Sequence, residues 1–93
     1  MADTIPEDED SALKFPCEFP IKAMGKATPE LEIAVLEIIN RHVPDLGEGA
    51  VKTRESRNGN YLSITVTIQA RSREQLDAIY MELTSCEHIV FAI

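Results

Sequence analysis

In this 93-residue chain, the residues whose types could do chemistry are Cys17 and Cys86, His42 and His88, the segment Met24-Gly25-Lys26-Ala27-Thr28, and the cations Lys22, Lys52 and Arg54. Metal transfer needs two thiolates close together, as in Cys-x-x-Cys. The two cysteines stand 69 positions apart and the 24–28 segment contains no thiol. The pattern therefore argues against copper or zinc carriage, and no metal or cofactor is expected. Acyl phosphate hydrolysis would need an amide-rich loop with an Arg to hold the phosphate. The same segment offers one Gly and Lys26. No motif brings a Ser, a His and a carboxylate together for nucleophilic catalysis. No catalytic residue is assigned, and the expected function is not that of an enzyme.

Two sets of residues point to binding instead. Gly25, Lys26 and Thr28 sit where a strand should pass into a helix. Backbone amides at a helix start favour an anionic group such as a carboxylate, and Lys26 could assist. The plainer reading is a tight strand-to-helix turn. Lys22, Lys52 and Arg54 would share the open face of a sheet if the register holds, and could recruit an acidic ligand or the chain's own acidic tail. The plainer reading there is a solvated face. His42 falls at the C-terminal end of a helical stripe, where a cation interacts well with the helix dipole. It reads as a cap that packs by its ring, and His88 has no nameable partner.

The elements that must position these residues follow from spacing. Pro16 and Pro20 exclude helix, and a first strand is expected over residues 19–24. Thr28 is a good N-cap and Pro29 a good first helical residue. Leu31, Ala34, Val35, Ile38 and Ile39 then form one apolar stripe, and Pro44 ends it. Residues 50–56 read as a strand, and Asn58-Gly59 as a tight turn into the next. From Tyr61 to Ala70 the alternation is strict: Leu62, Ile64, Val66, Ile68 and Ala70 face one way and Ser63, Thr65, Thr67 and Gln69 the other. Ser72-Arg73-Glu74-Gln75 fits a capping box, with Gln75 placed to reach back to the Ser72 amide. Leu76, Ile79, Tyr80 and Leu83 give the helix it opens a buried face, and residues 89–93 read as a last strand. The order β-α-β-β-α-β implies a ferredoxin-like α+β fold, a four-stranded antiparallel sheet with both helices on one face. In that topology Cys17 and Cys86 lie at opposite ends of the sheet, roughly 20 Å apart for six-residue strands, too far for a disulfide.

The charge divides unevenly. The chain carries 16 acids and 9 Lys plus Arg, a formal −7. Asp3, Glu7, Asp8, Glu9 and Asp10 place −5 of this in residues 1–12, which hold no base, so residues 13–93 carry only −2. Residues 1–12 bury too little to offset backbone entropy and are expected to be a disordered acidic tail, with residues 13–93 a single domain. A near-neutral domain with Tyr61 but then Ser63, Thr65, Thr67 and Gln69 along its third strand does not suggest nucleic acid. No apolar run is long enough for a membrane span and the first residues open no secretory signal, so a cytoplasmic location is expected with no membrane partner. Ile33 and Leu36 fall outside the first helical stripe, and with open edge strands they permit a homodimer.

Several segments together resemble the YbeD-like family of small bacterial proteins of unknown function: Phe15-Pro16 with Phe19, Lys22 and Met24-Gly25; Pro29-Glu30-Leu31; Arg41-His42-Val43-Pro44; Asn58-Gly59-Asn60-Tyr61; and Ser63-Ile64-Thr65-Val66-Thr67-Ile68. The likeness covers nearly everything from Leu13 to Ile93, and the acidic residues 1–12 depart from it. It implies a fold similar to ACT-type amino-acid-sensing domains, which commonly receive an effector between the first strand and first helix. It implies no assigned reaction. Two expectations result: an ACT-like regulatory domain sensing a small carboxylate-bearing metabolite through Gly25, Lys26 and Thr28, or a ligand-free protein–protein adaptor using the sheet edge or the open face with Lys22, Lys52 and Arg54.

Overall fold

In the computed structural model, residues 14–47 and 49–93 are described. The acidic segment 1–12, expected to be a tail, lies outside them. The elements are β1 (Cys17–Lys26), α1 (Pro29–His42), β2 (Val51–Glu55), β3 (Tyr61–Ala70), α2 (Arg73–Thr84) and β4 (Ile89–Ala92). They form one antiparallel sheet in the order β2-β3-β1-β4, the ferredoxin-like arrangement.

The ten-residue alternation of β3 sets the length of its neighbour. β1 pairs with it without interruption from Cys17 opposite Ala70 to Lys26 opposite Tyr61, so β1 exceeds the expected 19–24 at both ends. Pro20 fits inside this strand for a specific reason. Lys22 exchanges both backbone bonds with Ile93, so its neighbour two residues back also faces the β4 side. There the missing Pro20 N–H lies beyond the reach of β4, and no ladder bond is lost.

Ile21 and Ala23 of β1, together with Ile64, Val66, Ile68 and Ala70 of β3, are buried on one sheet face. Leu31, Val35, Ile38 and Ile39 of α1, and Leu76, Ile79 and Leu83 of α2, close over that face. Each such side chain contributes about 1.5–3 kcal/mol on burial, and both helices are therefore held to the same side. α1 starts where Thr28 Oγ1 accepts from the Leu31 N–H at 3.3 Å, with Pro29 in the first turn. α2 starts at Ser72, whose hydroxyl accepts from the Gln75 N–H at 3.1 Å. The return arm differs from the expected capping box: Gln75 Oε1 accepts from the Arg71 N–H at 2.6 Å, one residue before Ser72. The Gln75 amide nitrogen is thereby free to donate to the His42 carbonyl at 3.2 Å, which ties the start of α2 to the end of α1. The hairpin between β2 and β3 is longer than a two-residue turn. Gly59 donates to the Ser56 carbonyl and Ser56 N–H to the Tyr61 carbonyl, with Gly59 at φ +76°, a backbone conformation that glycine adopts at no steric cost.

Candidate interaction face

The strand pairings decide which charges meet. On β1 the residues opposite in parity to Ile21 and Ala23 are Glu18, Pro20, Lys22, Met24 and Lys26, and these line the open face. Lys52 and Lys22 flank Thr65 from either side, while Arg54 and Met24 flank Ser63. Two strand spacings place Lys22 and Lys52 about 10 Å apart at the backbone, and Arg54 follows Lys52 by about 7 Å along β2. Like charges about 10 Å apart in water repel by only about 0.4 kcal/mol before salt screening, so the sheet carries this row at little cost. All three cations are exposed.

A concavity of about 590 Å³ opens at one end of this face, where Lys22, Arg54 and Arg57, with one acid, Glu55, surround Met24, Tyr61 and Ser63. Arg57 comes from the hairpin loop, and sequence spacing alone did not connect it with Lys22. Phe91 of β4 sits opposite Met24 and is 43% exposed. It too was missed, because β4 carries a register shift between Met24 and Gly25 that alternation does not reveal. Among the described residues, Lys22, Lys52, Arg54 and Arg57 form no ion pair. Two acids share this region, Glu18 near the start of β1 and Glu55 at the rim of the concavity; six others lie on the helices, Glu30, Glu32 and Glu37 on α1 and Glu74, Asp77 and Glu82 on α2. The described domain is nearly neutral in sum, with cations in excess on the open sheet and acids in excess on the helices.

The second candidate set is dispersed by the fold. Gly25 belongs to β1 and is not part of a loop. It is buried between Leu62 and Ile89, and a Cβ there would overlap the His88 carbonyl and come within 2.9 Å of Leu31 Cδ1. Its lack of a side chain is accounted for by β4 and α1 packing onto it. Lys26 is the last residue of β1 and has the parity of Lys22, so it joins the open face. Thr28 is occupied as the N-cap, and the amides before it are used as well: Ala27 N–H donates to Asn60 and Thr28 N–H to Lys26.

His42, expected to cap α1, is its last residue, and its Nε2 lies 2.9 Å from Glu82 Oε2 on α2. Arg41 donates to the other Glu82 oxygen through Nη2 at 2.7 Å and Nε at 3.3 Å. The Arg41 and then the His42 hydrogen bonds hold the Glu82 carboxyl below its ordinary value, and the same contact raises Arg41. This node fastens the two helices and faces away from the sheet. His88 has Glu87 at 3.9 Å, too far for a hydrogen bond. Cys17 and Cys86 are free thiols. Among the described residues no group of three or more His, Cys, Asp or Glu could hold a metal ion, and no helix is long and apolar enough to cross a membrane.

A helix-backed antiparallel sheet in this strand order defines a small ferredoxin-like α+β domain. The solution structure of protein HP0495 from H. pylori matches it with a TM-score of 0.65, covering 86% of this chain and 84% of that one at 13% sequence identity, a likeness of fold. The chain belongs to the family described as "Protein of unknown function (DUF493)", whose model matches residues 10–93. It is 48% identical over 75 residues to UPF0250 protein NE1487 of Nitrosomonas europaea, covering 81% of this chain and 86% of that protein. It is 47% identical over 81 residues to a UPF0250 protein of Neisseria gonorrhoeae, covering 87% and 89%. These relatives bear out the YbeD-like resemblance.

Proposed function

We propose that this domain is a binding module whose open sheet face captures an acidic segment of a partner protein. The observation that carries this reading is the row of exposed cations, Lys22, Lys52, Arg54 and Arg57, which form no ion pair among the described residues and outnumber the two acids near them, Glu18 and Glu55. Complementary charge steers encounter and sets register, and the concavity beside Tyr61 and Met24 offers apolar area to a side chain next to the acids. A single-stranded RNA reader would carry stacking aromatics in the middle of its sheet. Here the central positions are Pro20, Lys22, Ser63, Thr65 and Thr67, with Tyr61 and Phe91 at the margin, which favours a protein partner. A small carboxylate held by Gly25, Lys26 and Thr28 has less support, because packing and capping already use two of the three.

Fluorescence anisotropy with a labelled Glu-rich peptide tests this on the full chain. Binding should weaken as salt shortens the Debye length from about 8 Å towards 3 Å. It should fall roughly tenfold or more in K52E/R54E, since every 1.4 kcal/mol is about tenfold, while N40E, at an exposed position of α1, leaves it unchanged. Equal loss in N40E, or tighter capture of a single-stranded oligonucleotide of the same charge, overturns the proposal.

A further inference from the structure

The open face has a candidate occupant within the same chain. Asp3, Glu7, Asp8, Glu9 and Asp10 carry −5 in a segment without a base, and four of these five precede residue 10, where the match to the family model begins. This segment joins the described residues at Lys14, and Phe15 next to it packs against the core. The acids at 7–10 precede Lys14 by four to seven positions, a reach of roughly 13–25 Å when extended. From Cys17, Lys22 lies about 17 Å along the strand, and Lys52 lies about 10 Å across two strand spacings from Lys22. Glu7 and Asp8 therefore come within reach of Lys22 and Lys52. The helix layer, with six carboxylates against Arg41 and Arg73, is the less favourable surface for them.

We infer that residues 3–10 dock on the open sheet face of their own chain and compete there with an external acidic partner. The inference rests on the proposed function for what the competition regulates, and on charge complementarity and reach for the docking itself. A ligand on a short tether is presented at an effective concentration of millimolar order, so weak contacts suffice to occupy the face for much of the time. An apparent dissociation constant rises in inverse proportion to the fraction of free face. Occupancy of roughly 70–90% would therefore weaken external binding about 3- to 10-fold.

The test compares the full chain with E7Q/D8N/E9Q/D10N, a variant that leaves every described residue intact. Amide shifts in two-dimensional ¹H–¹⁵N spectra should change at Lys22, Lys52, Arg54 and Thr65, and the differences should fade at high salt. The Glu-rich peptide should bind the neutralised variant about 3- to 10-fold tighter. Shift changes confined to residues 1–14 overturn the inference. So do changes that grow with protein concentration, which would assign the segment to the face of a second copy. The two ideas fail separately. If the peptide binds neither form, the partner reading falls while the shifts still decide the docking. If it binds both forms equally with no shift at the face, the docking falls and the partner reading stands.

Discussion

Gly25 shows how one absent side chain can be misassigned. Next to Lys26 and a helix start it suggests an anion site, yet its backbone lies in β1 under the His88 carbonyl, with Leu31 Cδ1 against the space a Cβ would fill. Because the crowding atoms include backbone, relief requires β4 to move. Overpacking a filled site costs about 1–3 kcal/mol, so G25A should lower the urea midpoint by a corresponding amount with no change in slope. A neutral substitution there would show that β4 yields freely and would reopen a ligand role. The open-face cations contrast with it. Lys22, Lys52 and Arg54 are exposed and unpaired among the described residues, so exchanging them should alter binding far more than stability.

At the scale of elements, the helices are joined by a polar node as well as by the core. Glu82 receives Arg41 and His42 from the last turn of α1, while Gln75 reaches the His42 carbonyl. The folded-state value of Glu82 is depressed, by the Arg41 hydrogen bond first. A depressed carboxylate stabilises the fold above its unfolded value, and this benefit is lost as pH falls through the folded one. E82Q should therefore be less stable than wild type at neutral pH, and the gap should close towards pH 3 or so, below the ordinary carboxylate range. Urea unfolding of both proteins at the two pH values measures this. A gap that persists in acid would mean that shape, and not charge, makes the contribution.

For the whole molecule, strand order separates what sequence proximity joins and joins what it separates. Cys17 begins β1 at the Ala70 end, whereas Cys86 precedes β4, which pairs with the Gly25 end. Eight residues of strand put about 26 Å between those ends, against the 7 Å or so that a disulfide tolerates. Thiol titration in denaturant should find two free thiols per monomer before any reductant is added. Finding none would mean that the pairing of the strands is wrong. The same order brings β2 and β1 to either side of β3, which assembles Lys52, Arg54 and Lys22 into one face from residues about thirty positions apart.

The local pattern determined much of this protein. The strict alternation of β3, the Thr28-Pro29 and Ser72 caps and the two apolar helical stripes specified the element order, and with it the class of fold. They could do so because each is a short-range preference of backbone and side chain. Alternation also fixed the faces of β1 and β2, so the sharing of one face by Lys22, Lys52 and Arg54 was legible as well. Only the tertiary structure decided that Gly25 lies under β4, that Arg57 and Phe91 border the same face, and that Gln75 and Glu82 reach across to α1. Those contacts depend on a register shift, a hairpin loop and the packing of the two helices. Each of these is settled by long-range contacts that no local window of sequence contains.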